Sequence, residues 1–290
     1  MQLLAPRTTA LADGLEVRRV LPQRTRRSIG PFVFLDHFGP VTLPVGADSD
    51  VGPHPHIGLA TVSYLFEGGF LHRDSLGTTQ EIAPGAINWM SAGRGIVHSE
   101  RTPVVERGKA RRLHGLQLWV ALPREHEESA PSFQHVPAAA LPLVENDEAR
   151  VRVLVGSALG VTSPVQVLHP TLYLDVELQA GAKWSLSGVA EELALYTPFG
   201  ALDVDGETLP PATLGVLDGP ATLTAREATR LVVLGGAALD GPRAMWWNFV
   251  ASDPARLEVA ARAWSAGGFD GIPGDSERVP MPPFVARPRL

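Results

Sequence analysis

Cysteine is absent from the 290 residues of this chain. The chain therefore has no disulfide bond, no thiolate metal site and no cysteine nucleophile. Any metal that it binds must be held by nitrogen and oxygen, so histidine, aspartate and glutamate are the residues to examine.

Basic residues are in the minority, since 25 Lys and Arg stand against 31 Asp and Glu, a formal charge of −6. Nucleic-acid binding usually requires a basic domain, so direct nucleic-acid binding is not expected. No apolar run approaches the ~18 residues of a membrane span. Residues 1–20 also lack the zones of a secretory signal. A cytoplasmic protein without a membrane partner is the expectation.

Glycine and proline, by contrast, are plentiful, with 29 Gly and 26 Pro, or 55 together. Average usage of about 12% would give roughly 35. They separate short β-branched and aromatic runs, such as 61–66 and 171–178, and Asp205-Gly206 is a hairpin signal. Many short strands at near-regular spacing favour an all-β sandwich or barrel over alternating strands and helices.

A charged segment rich in proline and alanine, residues 123–150, separates two strand-rich blocks. We interpret it as a connection, which predicts an N-terminal domain over 1–135 and a C-terminal domain over 136–290. The Pro-rich tail from residue 273 to the end is expected to extend over the surface.

One helix is predicted, over residues 252–268. Ser252 or Asp253 can cap it, Pro254 suits its first turn, and Gly267 can end it. The expected packing face is the stripe of Leu257, Ala260, Ala261 and Trp264.

The histidines are concentrated where they can do chemistry. His54 and His56 stand two apart in GPHPHIG, and His98 and Glu100 repeat that spacing in AGRGIVHSE. Residues i and i+2 of a strand point to the same face. If the two strands are neighbours, three nitrogens and one carboxylate converge. Such a ligand set suits Fe, Mn, Ni, Cu or Zn rather than Ca or Mg.

A structural interpretation competes with the functional one. Two histidines flanking a proline are, by themselves, more often ordinary surface or core residues than ligands. The second pair, at a suitable distance in a β-rich chain, makes the pattern much more specific. Asp36 and His37 are candidates to line the pocket, although a structural role in a turn is equally plausible. His114 and Gln117 are candidates to orient the ligands, although a structural role is favoured for both.

Two other features have simpler interpretations. His72 follows a Glu-Gly-Gly turn and is expected to be exposed. The five arginines between Arg18 and Arg27 form a basic run that is either a solvated face or a docking patch for an acidic partner.

Longer stretches around these motifs resemble the pirin family of bicupins. The similarity is carried by FVFLDHFGP (32–40), GPHPHIGLATVSYLFEGG (52–69), PGAINWMSAGRGIVHSE (84–100) and HGLQLWVALP (114–123). It implies two cupin β-barrels, with a metal only in the N-terminal one. It also implies Fe(II) at His54, His56, His98 and Glu100, with other divalent metals (Mn, Ni, Cu, Zn) as alternatives.

The chain departs from the family pattern at two places. Many pirins carry a glutamate where this chain has Ala60, which puts a role for that carboxylate as a base in doubt. The C-terminal block contains a single histidine, His169, so a second metal site is not expected there.

Two functions follow from the resemblance. The first is a dioxygenase of the quercetin 2,3-dioxygenase type acting on a flavonol, with Glu100 as the catalytic base beside the metal. The second is a non-catalytic regulatory protein whose metal or redox state controls a transcription factor or an enzyme complex. In that case the arginine run from Arg18 to Arg27 is the natural docking surface.

Overall fold

The computed structural model describes residues 1–12, 15–47 and 49–284. Along these residues the chain consists mainly of short strands, which confirms the all-β prediction. The strands of the first half are β1 (Gln2–Leu4), β2 (Arg7–Ala12), β3 (Leu15–Leu21), β4 (Phe32–Leu43), β5 (Val51–His56), β6 (Leu59–Glu67), β7 (Phe70–Asp74), β8 (Thr79–Ile82), β9 (Ile87–Ser91), β10 (Ile96–Arg101), β11 (Arg111–Ala121) and β12 (Ser132–Val136).

The strands of the second half are β13 (Leu143–Glu145), β14 (Ala149–Val155), β15 (Ser157–Ala158), β16 (Val161–Thr162), β17 (Thr171–Leu178), β18 (Lys183–Leu186), β19 (Glu192–Phe199), β20 (Leu202–Val204), β21 (Glu207–Leu209), β22 (Leu214–Leu217), β23 (Ala221–Ala225), β24 (Thr229–Gly236), β25 (Ala244–Trp246) and β26 (Phe249–Ala251). The described helices are three short 3₁₀ helices, Val104–Glu106, Arg124–His126 and Ala138–Ala140, and α1 (Pro254–Ser265). The Asp205-Gly206 hairpin is present, since Val204 of β20 pairs with Glu207 of β21.

The chain divides into two compact units that interleave along the sequence. Unit 1 comprises Met1–Thr8, Arg18–His37 and Ala138–Ala238. Unit 2 comprises Thr9–Val17, Phe38–Pro137 and Leu239–Leu290. The segment 123–150, interpreted above as a connection, itself contributes β12 and β13. The division of roles between residues 1–135 and 136–290 stays a prediction.

Two sheets enclose the core of unit 2. The larger sheet has the order β12-β9-β6-β11-β4-β3-β2, with parts of β2, β3 and β4 assigned to unit 1, and β5-β10-β7-β8 form the smaller sheet. Leu65 of β6 and Leu113 of β11 meet Phe70 of β7 and Ile82 of β8 in one buried cluster. This is the two-sheet barrel that short alternating strands predict.

The helix α1 covers the outer side of the smaller sheet. Asp253 caps it by accepting a 3.0 Å hydrogen bond from the backbone N–H of Ala255, with Pro254 in the first turn. The predicted packing face is confirmed, because the buried residues are Leu257, Ala260, Ala261 and Trp264. These side chains share a cluster with Ile57, which follows β5, and with Val97 of β10. Strands β5 and β10 carry the histidine motifs.

The tail beyond α1 is extended, as expected, and is held to the same side of unit 2. Arg101 pairs with Asp275 at 2.9 Å, and the backbone N–H of Val279 donates to the carbonyl of Pro53 at 2.8 Å. Residues 285–290, the end of the predicted tail, lie outside the described residues.

Unit 1 repeats the strand order of unit 2. Its sheets are β1-β22-β19-β24-β17-β14-β13 and β18-β23-β20-β21, so β18 and β23 correspond to β5 and β10. Between these sheets the interior is packed with apolar side chains, among them Trp184 and Leu186 of β18 and Leu223 of β23. The strands that carry the histidine motifs in unit 2 therefore have apolar counterparts in unit 1.

Candidate metal centre

The two histidine motifs lie on neighbouring strands. Strand β5 is at the edge of the smaller sheet and pairs antiparallel with β10, where His54 is opposite His98. The edge position explains how Pro53 and Pro55 are accommodated, since proline cannot donate to a second neighbour. The expected adjacency of the two strands is confirmed.

Three imidazole rings converge inside unit 2. Among the described residues, the potential ligand atoms that all lie within 4.8 Å of one another belong to His54, His56 and His98. The Nε2 atoms of His56 and His98 are 3.1 Å apart. Two nitrogens bound at ~2.1 Å to one ion lie roughly 3.0 Å apart at a right angle and roughly 3.4 Å apart at the tetrahedral angle. The observed separation fits a shared divalent ion.

Hydrogen bonds orient two of these rings. The Nδ1 of His54 lies 2.8 Å from the carbonyl oxygen of Gly52, and the Nδ1 of His56 lies 3.0 Å from that of Asn248. Because a carbonyl oxygen only accepts, each Nδ1 carries the proton and donates it. Each Nε2 is then an unprotonated lone pair, which is the form that binds a metal.

Burial keeps the three histidines neutral. His56 and His98 are each 1% exposed and His54 is 8% exposed. Burial lowers the pKa of His54 to about 4, although its hydrogen bond to Gly52 opposes the shift. Burial, reinforced by neighbouring imidazoles, holds the pKa of His56 and His98 well below the usual value. Neutral Nε2 atoms that converge in a buried site suit a metal cation. Without a proton or a cation between them, their lone pairs would repel one another.

The third ring, His98, is held by another histidine. Its Nδ1 lies 3.4 Å from Nδ1 of His72, whose Nε2 lies 3.0 Å from a carboxylate oxygen of Asp74. The prediction that His72 is exposed was wrong, because its exposed fraction is 5%. Residues 72 and 74 share one face of β7, and β7 pairs with β10, so the side chains of His72 and Asp74 lie beside the ligands.

Asp74 is a fully buried carboxylate with several donors. Burial acts to raise its pKa, but hydrogen bonds from His72 and from the backbone of Thr78 outweigh this effect and lower it. Asp74 was not predicted from the sequence, although the i, i+2 spacing of His72 and Asp74 is the same signal that identified the two ligand pairs.

Glu100 faces the interior from the same strand as His98. It is half-buried and lies opposite His72 in the β7–β10 pair. Its carboxylate accepts a 3.2 Å hydrogen bond from the hydroxyl of Ser63. Burial raises the pKa of Glu100, while His72 and Ser63 oppose the shift. Glu100 is not in the group of ligand atoms that lie within 4.8 Å of one another among the described residues.

The four other candidates lie in different places. The single hydroxyl proton of Ser63 is shared between Oε1 of Gln117 of β11 at 2.9 Å and Oε1 of Glu100 at 3.2 Å, which links the two side chains. The buried His114 packs its ring against Phe66 at 4.7 Å.

Asp36 and His37 belong to unit 1, whereas the three converging histidines belong to unit 2. Asp36 forms a two-pronged ion pair with Arg19, and His37 contacts Tyr196 through a 2.6 Å hydrogen bond.

Aromatic side chains surround the histidines. The ring of Trp119 is 5.3 Å from that of His56, and the ring of Phe133 is stacked on His72 at 4.4 Å. Phe133 belongs to β12, within the segment that was interpreted as a connection, so its position was not anticipated from the sequence.

Ala60 projects away from the site. It lies in β6, which pairs in regular register with β9 and β11 around this position. Since side chains alternate along a strand, Ala60 is on the face opposite Ser63 and hence opposite Glu100. The histidine cluster therefore does not depend on a carboxylate at position 60.

The fold and the site together define a two-barrel cupin with a candidate three-histidine metal centre. The sequence profile described as pirin matches residues 14–120, and that described as the pirin C-terminal cupin domain matches residues 173–270. A pirin-like protein of Caulobacter vibrioides is 44% identical over 257 residues, which cover 87% of this chain and 88% of the relative. The chain belongs to the pirin family, as its motifs indicate.

Two further relatives carry the name of an enzyme. A protein of Pseudomonas aeruginosa provisionally named as a quercetin 2,3-dioxygenase is 37% identical, with 92% of this chain and 84% of the relative covered. The crystal structure of a quercetin 2,3-dioxygenase from Acinetobacter baumannii matches with a TM-score of 0.90 and 36% identity, covering 99% of this chain and 97% of that one. Family and site together imply a divalent metal cofactor. In the described part of the chain, no helix is both long and apolar enough to traverse a bilayer.

Proposed function

We propose that this protein is a mononuclear Fe(II) enzyme that oxidises a flavonol such as quercetin with dioxygen. The observation that carries the proposal is the convergence of three neutral imidazoles, with a carboxylate on the same strand as one of them. The relatives named as quercetin 2,3-dioxygenases support the choice of reaction and of a flavonol substrate.

The proposed ligands are His54, His56, His98 and Glu100. Three nitrogens and one oxygen suit a first-row divalent ion. We choose Fe(II) because it reacts with dioxygen. When bound, such an ion supplies Lewis acidity and one-electron redox chemistry. Mn, Ni, Cu and Zn fit the same donor set and are the alternatives to test.

Glu100 is the proposed catalytic base for the flavonol hydroxyl. Burial raises the pKa of its carboxyl, which strengthens the carboxylate as a proton acceptor. The hydroxyl of Ser63 donates to Oε1 of Glu100, which leaves the lone pairs of Oε2 for the metal and for the substrate proton. The Ser63 contact also fixes the direction in which Glu100 points.

The surrounding side chains suit a planar aromatic substrate. The buried Trp119 lies beside His56 and presents an apolar ring surface at the site. Gln117, joined to Ser63, places a polar group on the same side. Ligand sites commonly combine apolar walls with a few polar groups that orient the substrate.

The experiment is oxygen uptake by protein loaded anaerobically with Fe(II) and then mixed with quercetin. We expect one dioxygen to be consumed per quercetin, with free Fe(II) at equal concentration as the blank. Uptake should be abolished by His98→Ala and strongly reduced by Glu100→Gln. His169→Ala, a matched histidine removal in unit 1, should leave it unchanged.

Fe(II)-loaded protein that consumes no oxygen above the blank would overturn the enzymatic proposal. In that case the metal-dependent regulatory protein described above becomes the better account. Arg24 and Arg27 of the basic run are exposed and are the first residues to alter in a search for a partner.

A further inference from the structure

The three candidate ligands are not anchored alike. His54 and His56 each donate from Nδ1 to a backbone carbonyl, which can only accept. Their tautomers are thus set locally. His98 has Nδ1 beside Nδ1 of His72, and a neutral imidazole nitrogen is a donor in one tautomer and an acceptor in the other. This contact alone leaves the tautomer of His98 undetermined.

Asp74 removes the ambiguity. One of its oxygens, Oδ2, accepts from Nε2 of His72 at 3.0 Å. Its other oxygen, Oδ1, accepts from the backbone N–H groups of Leu76 at 2.9 Å and Thr78 at 3.0 Å. Because an ionised carboxylate only accepts, His72 in its neutral form carries its proton on Nε2 and presents a lone pair at Nδ1. His98 can then donate from Nδ1 and offer an unprotonated Nε2 to a metal, in place of the 3.1 Å contact that this Nε2 makes with Nε2 of His56.

We propose that Asp74 and His72 form a positioning pair that sets the tautomer of His98, so that its Nε2 is available to the metal. The proposal rests on the metal centre proposed above. Neither residue is a ligand in this account, and both act through His98. Partners of this kind orient metal-binding histidines and raise their basicity.

The surroundings of the pair hold it in one arrangement. His72 is stacked on Phe133, with ring centroids 4.4 Å apart and planes 20° apart. Asp74 is 0% exposed, so its carboxylate cannot exchange His72 for water. The turn formed by residues 74–78 fixes Oδ1 and therefore determines which carboxylate oxygen faces His72.

Asp74→Asn tests the proposal with little change in shape. The amide oxygen is expected to keep the two backbone donors of the turn, which places the NH₂ group against Nε2 of His72. His72 must then accept at Nε2 and donate from Nδ1. His98 then accepts at Nδ1 and carries its proton on Nε2, so a metal must displace that proton in order to bind.

The first readout is the tautomer of His72 in protein loaded with excess Zn(II). At pH 8, imidazole ¹⁵N chemical shifts distinguish the two tautomers, with His72→Ala used to assign the signals. We expect the proton of His72 on Nε2 in the wild type and on Nδ1 in Asp74→Asn. The same tautomer in both proteins would overturn the proposal, whether or not the protein proves to be an enzyme.

The second readout is affinity for Co(II), measured by competition with a chromophoric chelator. Loss of an outer partner typically lowers affinity by about 10- to 100-fold, and we expect that loss for Asp74→Asn. Asp175→Asn is the matched control, since Asp175 is a buried aspartate of unit 1 that is paired with Arg230. An equal loss in both variants, or none in Asp74→Asn, would contradict the proposal.

A double variant separates positioning from simple packing. In His72→Asn/Asp74→Asn the asparagine at position 72 can offer its amide oxygen near the place of Nδ1 and accept from His98. We expect the double variant to bind Co(II) more tightly than Asp74→Asn does. The visible spectrum of its Co(II) complex should return toward that of the wild-type complex. If the affinity falls further, the pair only fills space, and the proposal fails.

Discussion

The stability of the metal-free protein should depend on pH through its buried histidines. His54 has its pKa lowered by burial to about 4, whereas an unfolded histidine titrates near 6.5. Between these values the unfolded chain binds a proton that the folded chain does not. The contribution of His54 is therefore fully present above pH 6.5 and is lost as pH falls toward 4.

The magnitude follows from the two pKa values. Between pH 6.5 and 5.5 the unfolded state gains protonation free energy of RT ln(11/2), or about 1 kcal/mol for one histidine, while folded His54 stays almost wholly neutral. His56 and His98 act in the same direction, because burial also lowers their pKa. The free energy of unfolding should fall visibly over this single pH unit.

The raised pKa values of Asp36 and Glu127 act in the opposite sense, since these buried carboxyls take up protons in the folded state. Their contributions to the pH dependence are the same in the wild type and in a His54 variant, so they cancel in the difference between the two proteins. Urea unfolding of wild type and His54→Asn, both with a chelator, gives the free energy of unfolding at pH 6.5 and 5.5. We expect the variant to lose about 1 kcal/mol less than the wild type. Equal losses would refute the reasoning.

Three further predictions concern packing and the proposed base. Gly115→Ala should lower the free energy of unfolding in urea by about 1–3 kcal/mol, because a Cβ there would lie 2.6 Å from Cζ of Phe38; unchanged stability would show that the ring moves freely. Trp264→Ala should cost about 3–5 kcal/mol in urea unfolding, since this buried side chain packs α1 against the smaller sheet; a cost below about 1 kcal/mol would contradict that packing role. Ser63→Ala removes a hydrogen bond that lowers the pKa of Glu100, so the acidic limb of the pH–rate profile for quercetin should move to higher pH; an unmoved limb would argue against Glu100 as the base.

Local periodicity predicted those parts of the site that lie on single strands. The spacing of His54 and His56 placed both rings on one face, and the capping pattern around Asp253 and Pro254 placed the start of α1 correctly. These features depend on alternation and on backbone hydrogen bonding within a few residues. No knowledge of distant contacts was needed.

The parts that were missed depend on pairing between distant segments. His72 was expected to be exposed because it follows a turn, yet β7 pairs with β10 and buries it beside His98. Asp36 and His37 belong to unit 1, and their role as candidates beside the metal stays a prediction. The packing of the whole sheet determines which strands become neighbours. A short stretch of sequence does not contain this information.

The interleaving of the units was hidden for the same reason. In unit 1 the edge of the larger sheet is β1, from the very start of the described chain, while in unit 2 the corresponding edge is β12. Residues that follow one another along the chain thus contribute to different cores. Composition and turn signals mark strands well but do not assign them to a sheet.

Anomalous diffraction at the iron edge, from a crystal grown anaerobically with Fe(II), addresses the metal centre most directly. We predict a single peak per chain about 2.1–2.2 Å from the Nε2 atoms of His54, His56 and His98, a distance usual for metal–imidazole bonds. The absence of a peak at saturating iron, or a peak held by other residues, would contradict the account.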